Sequence, residues 1–267
     1  MNDTFYKEDN LSGLKRADFQ KTIDGKQTDL FILSNDKGAE VAITNYGGAI
    51  AALMVPDRNG KLANVVQGHD SIEGVINSPE PFLSTLIGRY GNRIAKGKFQ
   101  LGNKEYKLTI NNGPNSLHGG PTGFHARVWD AEQTSKQSLT LRYLSRDGEE
   151  GFPGNLDVTV VYTFTNQNEL VITYSAITDQ RTIVNLTHHA FFNLADLPIP
   201  LRAWKTTSSL STQTFISPWM KFPSRPAKSP KWKELLWTSA HRTQWEAASM
   251  NRSSSWFTEP VMTIATC

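Results

Sequence analysis

LDVTVVYTF-TNQN-ELVITYSAIT, residues 156 to 178, limits the possible folds more than any other stretch. Leu156, Val158, Val160, Tyr162 and Phe164 alternate with Asp157, Thr159 and Thr163. A period of two is the mark of a strand with one face turned to a core. Leu170, Ile172, Tyr174 and Ala176 repeat the pattern after a polar turn. The two runs therefore predict an antiparallel hairpin. SLTLRYLS (138–145), VAITNYG (41–47), AIAALMV (49–55) and YKLTI (106–110) read as further strands, and no long helical stripe interrupts them before residue 196. The expected class is all-β, with antiparallel sheets packed as a sandwich.

Several function classes drop out early. A chain of 267 residues can bury a sizeable core unaided, as one large all-β domain or two ordinary ones. Its one cysteine, Cys267, excludes an internal disulfide or a paired-cysteine metal site and suits a reducing compartment. The polar start MNDTFYKEDNLSGLKRADFQK has no apolar core of a secretory signal, and no run of apolar residues is long enough to span a bilayer. A cytoplasmic location without membrane attachment is expected. GRYGNRIAKG has neither phosphate-loop nor dinucleotide spacing, and no HExxH or Gly-x-Ser-x-Gly motif occurs. Basic and acidic residues are interspersed before residue 196, so no nucleic-acid footprint is expected there. No internal repeat is visible.

The modest net charge of +3 hides a break in composition. All nineteen glycines lie at or before Gly154, no aspartate follows Asp196, and no tyrosine follows Tyr174. Six of the seven tryptophans (Trp204, Trp219, Trp232, Trp237, Trp245 and Trp256) lie in residues 197–267, with nine lysines and arginines against three glutamates. Average usage would place about five glycines there. A basic, serine-rich disordered tail is the plain interpretation, but disordered segments are poor in aromatics.

The residues able to do chemistry are histidines and arginines in particular settings. NSLHGG, residues 115–120, sets His118 before two glycines, which allow a sharp turn or a close approach. Its ring either sits in solvent or points into a pocket. NLTHHAFFNL, residues 185–194, carries His188 and His189 at the end of a strand-like run. Neighbours on a strand face opposite ways, so one ring can face a cleft while the other faces the sheet. Two satisfied structural histidines would read the same. Arg93 can equally be a solvated turn residue, and His69 and His125 read as surface or structural.

Taken in order, NYGGAI, TLIGRYGNRIAKGKF, NNGPNSLHGGPTGFHARVW, DGEEGFPGNL and VNLTHHAFFNLA resemble the galactose mutarotase (aldose 1-epimerase) family over residues 20–196. The resemblance implies a β-supersandwich, truncated here, that binds a free hexose in an open cleft. It implies exchange of α and β anomers without cofactor or metal, by a monomer. Asn92 and Arg93 match a pair that hydrogen-bonds sugar hydroxyls. His118 would be presented to the sugar, with the glycines clearing the approach. His189 matches the essential histidine after the Thr-containing motif, and Ala190 and Phe191 match the sugar-contacting pair behind it. A tyrosine is common at the position of Phe191, so its hydroxyl contact is lost.

The chemistry fits these residue types. A base must take the proton from the anomeric hydroxyl while an acid protonates the ring oxygen, both working near neutral pH. The resemblance makes His189 the acid, since an unperturbed imidazole titrates near pH 6.5, and His118 the group that holds or polarises the same oxygen. The family's base, a glutamate late in the chain, and its sugar-binding aspartate have no matching motif.

A one-base slip in the coding frame near Ala195 and Asp196 explains both that loss and the odd tail. Trp219-Met220-Lys221, read one base earlier, forces Leu, Val or Met followed by Asp-Glu. WFTEPVMTI permits Val-Tyr-Gly-Ala-Gly-Tyr-Asp-His with the aspartate forced, which resembles the family's aspartate segment. The expected organisation is thus 1–196 as the first part of a mutarotase-like sandwich and 197–267 as an out-of-frame, poorly ordered tail. Four functional alternatives remain: an impaired epimerase, a non-catalytic carbohydrate-binding module of the same fold, a hexose-phosphate epimerase, which would want more basic residues around its cleft, and a β-sandwich whose basic, tryptophan-rich tail binds a partner or an anionic surface.

Overall fold

The hairpin forms as its alternation requires. Leu156–Phe164 pairs antiparallel with Leu170–Thr178, Val160 opposite Tyr174, and the Asn168 N–H closes the turn on the Thr165 carbonyl. Leu156, Val158, Val160, Tyr162 and Phe164 are all buried. Each contributes roughly 2 kcal/mol by leaving water. On the partner strand Leu170 and Ile172 are buried, Tyr174 is half-buried and Ala176 is exposed. The core packs under the first half of that strand, so the alternation past Tyr174 is not matched by burial.

The computed structural model describes Phe5 and residues 8–194, with the backbone of 245–246 and 261–264. Asp130–Ser135 and Ser138–Ser145 continue the hairpin sheet, in which Val261–Ile264 pairs with the outer edge of Leu170–Thr178. A second antiparallel sheet holds Leu30–Ser34, Glu40–Thr44, Ile50–Pro56 and Leu62–Asn64 in chain order. Apart from the backbone of Val261–Ile264 and of Trp245–Glu246, which pairs with Ile183–Val184, the expected out-of-frame tail lies outside the described residues.

The two sheets face each other. Leu33, Val41, Ile43, Ile50 and Leu53 of one pack with Leu141, Val158, Val160, Tyr162 and Ile172 of the other in one apolar core. The Tyr162 hydroxyl crosses it to donate to the Gly48 carbonyl at 2.8 Å. Leu30, Ile32, Ala42 and Ala52 turn away from that core and pack under Leu14 and Phe19. This covers the sheet's other face, and Glu40–Thr44 is accordingly buried at every residue. The described α-helix is the five-residue Ile72–Ile76, in keeping with the missing helical stripe. YKLTI is strand only as far as Lys107, in the small hairpin of Lys98–Leu101 with Lys104–Lys107.

Short ladders position the site. Leu86–Ile87 pairs with Thr187–His188, a bridge joins Tyr90 to Asn185, and Arg93–Ile94 pairs with Ser116–Leu117. Three motifs far apart in sequence thereby lie side by side.

Candidate active site

Those ladders bring Asn92, Arg93, His118 and His189 to one cleft of about 510 Å³. The ring centroids of His118 and His189 are 5.0 Å apart, edge to face. Phe82 stands against both, 4.7 Å from His118 and 6.3 Å from His189, and 4.6 Å from His125.

His118 is held from two sides. Its N–H donates to the Asn92 carbonyl at 2.9 Å, and the Asn92 N–H donates to its Nδ1 at 3.0 Å. A nitrogen that accepts cannot carry the proton, so the neutral ring carries it on Nε2. Burial pushes the ring pKa down to about 4, with His189, Arg93 and His125 adding to the shift. His118 is therefore a neutral donor near pH 7, and its 7% exposure excludes a solvated turn residue.

The two glycines serve the chain itself. A Cβ on Gly119 would lie 1.8 Å from the Gly88 carbonyl oxygen, and one on Gly120 would lie 2.5 Å from the Glu150 carboxylate. Both have positive φ, 85° and 100°. They let the loop close on Gly88 and on Glu150, which accepts from the Thr122 N–H at 2.8 Å. The expected clearance for a sugar is replaced by close contact within the protein.

Alternation separates the paired histidines. His188 points inward, 9% exposed, with Nε2 3.3 Å from the Gly48 carbonyl and its ring against Tyr162. His189 lines the cleft, its backbone tied to Thr85 and Ser84 at 2.8 and 3.0 Å. Burial lowers the His189 pKa, with the Glu80 carboxylate acting in the opposite sense. The site thus departs from the expected neutral poise, because desolvation disfavours imidazolium.

Arg93 is exposed at the mouth, with Nε donating to Asn112 Oδ1 at 2.9 Å and Nη1 to Asn92 Oδ1 at 3.3 Å. This sets the guanidinium plane, the condition for geometric recognition of hydroxyls. Ala190 packs against the sandwich core instead of the cleft. The Phe191 ring lies 5.0 Å from His189, supporting it from the side, and its N–H donates to Ser84 Oγ at 3.3 Å. His125 is 5% exposed and lines the cleft, so it is not a surface histidine. Glu80, Phe82 and Asn112, absent from the sequence-based site, also line it. The polar run NNGPN hinted at Asn112, but no pattern marked Glu80 or Phe82. Among the described residues no cluster of His, Cys, Asp or Glu could hold a metal, and no helix is long and apolar enough to cross a membrane.

The family model described as aldose 1-epimerase matches residues 29–221. The chain belongs to the aldose 1-epimerase family. The match reaches past residue 196, where the motif resemblance stops. Among aldose 1-epimerase relatives, bovine galactose mutarotase is 48% identical over 165 residues, covering 62% of this chain and 47% of the relative. Human galactose mutarotase is 42% identical over 191 residues (71% and 55%), and aldose 1-epimerase of Escherichia coli 36% over 171 (64% and 49%). The chain spans about half the length of the curated relatives it matches. An aldose epimerase homologue from C. elegans superimposes with TM-score 0.60 at 31% identity, covering 63% of this chain and 51% of that one. Galactose 1-epimerase from Lactobacillus acidophilus gives 0.59 at 30%, with 65% and 51% covered.

Proposed function

We propose that this chain binds a free hexose in the His118–His189 cleft and carries the acid side of an aldose 1-epimerase reaction. The observation that carries this reading is the Asn92–His118 lock, which aims a neutral Nε2–H donor beside His189. Asn92 and Arg93 would hold sugar hydroxyls, and His118 would donate to the ring oxygen. The protonated form of His189, made scarcer by burial, would deliver its extra proton there and become neutral as a base takes the proton of the anomeric hydroxyl. The C1–O5 bond then breaks to give the open aldehyde, rotation about C1–C2 exposes the other face, and closure returns both protons.

The base is the weak point. The family's late glutamate and aspartate segments have no matching motif in residues 197–267. We therefore place turnover of this chain well below that of a complete epimerase, with sugar binding as its surviving function. Polarimetry of freshly dissolved α-D-galactose and α-D-glucose tests both parts. A rate above the spontaneous one that disappears in His189→Asn supports an acid role; binding without acceleration supports a carbohydrate-binding module. Absence of both overturns the reading.

A further inference from the structure

Among the described residues lining the cleft, Glu80 and Arg93 are the charged ones. Glu80 stands in the turn before Phe82, pinned through its backbone: its N–H donates to Ser78 Oγ at 3.2 Å, and its carbonyl accepts from the Ser78 hydroxyl at 2.8 Å and from the Leu83 N–H at 3.1 Å. The side chain is half-buried, and its carboxylate makes no hydrogen bond or ion pair with a described residue. A carboxylate left without a donor in a cleft wall is open to a ligand's hydroxyl or amine and repels a ligand's negative charge.

We propose that Glu80 is a specificity-determining residue, which accepts a hydrogen bond from a neutral sugar hydroxyl and disfavours anionic sugars such as hexose phosphates. The proposal rests on the sugar-binding reading above. Arg93 keeps its positive charge, but Nε and Nη1 each already donate to a side chain, Asn112 and Asn92, so it cannot present an uncommitted Nε/Nη1 fork to a phosphate, and Glu80 sets the difference between neutral and anionic sugars. A phosphate monoester brings nearly two negative charges near neutral pH. Low-dielectric walls strengthen its repulsion from Glu80, whereas an amino sugar would gain from the same field.

The test is protein-observed NMR on the whole chain at pH 7.5, following the His118 and His189 ring signals during titration with D-glucose, D-glucose 6-phosphate and D-glucosamine. The wild type should bind glucose about tenfold more tightly than its 6-phosphate at low salt, with the gap narrowing as salt is added. Glu80→Gln should shrink the gap to about threefold or less, and Glu80→Lys should reverse it. The salt series on the wild type reads the same charge without any substitution. An equal gap in wild type and Glu80→Gln, with glucose still bound, overturns this inference alone. Glucose that leaves both histidine signals unmoved overturns the sugar-binding reading, and this inference with it.

Discussion

Asn92 and His118 are tied by two hydrogen bonds of opposite sense, N–H to Nδ1 at 3.0 Å and N–H to carbonyl at 2.9 Å. Asn92 and His118 both have positive φ, 64° and 54°. Two non-glycine residues hold an uncommon backbone region to make this one contact. Such strain persists where the surroundings over-determine it, and here it delivers a histidine in a single tautomer to the cleft.

The first prediction concerns that tautomer. Long-range ¹H–¹⁵N spectra at pH 7 should show His118 with its proton on Nε2 and Nδ1 unprotonated. His118→Gln should weaken hexose binding by about threefold to tenfold, the worth of a neutral hydrogen bond. A spectrum with Nδ1 protonated contradicts the lock.

The second concerns acid. Burial, first among the causes, pushes His118, His125 and His188 down to about 4. The unfolded chain takes up these protons near pH 6.5 and the folded chain only near 4, so acid favours unfolding. The stability held above pH 6.5 should fall steadily toward pH 4. Melting temperatures between pH 7 and 5, where most carboxylates stay ionised, should drop by several degrees. His188→Asn should flatten that slope, and a flat wild-type profile would contradict the prediction.

Arg89 carries the third. It is 1% exposed and donates to Ser145 Oγ and to the carbonyls of Ser145, Arg146, Pro153 and Gly154 at 2.7 to 2.9 Å. Arg89→Met removes every one of these donors at once. Each stranded acceptor costs about 1–3 kcal/mol, so denaturant titration should show a loss above about 3 kcal/mol. A loss under about 1 kcal/mol would mean that water replaces the guanidinium.

The fourth compares two glycines. Gly119 and Gly60 share positive φ, 85° and 81°, but a Cβ on Gly60 meets nothing within 4 Å. Gly60→Ala should cost only the backbone penalty of about 1 kcal/mol. Gly119→Ala adds a collision with the Gly88 carbonyl and should cost at least about 2 kcal/mol more, with the His118 signals shifted. Equal losses would show that Gly119 is kept for its φ alone.

Legibility from sequence differed by residue. The strand Leu156–Phe164 could be read directly, since each side chain's face follows from its place in a two-residue period. The same rule separated His188 from His189. It did not foresee that Ala190 packs into the core, that His125 lines the cleft, or that Gly119 and Gly120 meet Gly88 and Glu150. These depend on what the neighbouring loops do, and loop paths carry no period.

By itself the sequence determined an all-β chain, its hairpin, the family it resembles and that the two neighbouring histidines face opposite ways, because alternation and motif are local properties. Only the tertiary structure decided that two short ladders and a bridge gather Asn92, His118 and His189 in one cleft with Phe82, and that Glu80 shares that cleft. Proximity across about a hundred residues, and the desolvation that lowers each imidazole, exist only once the sheets have packed.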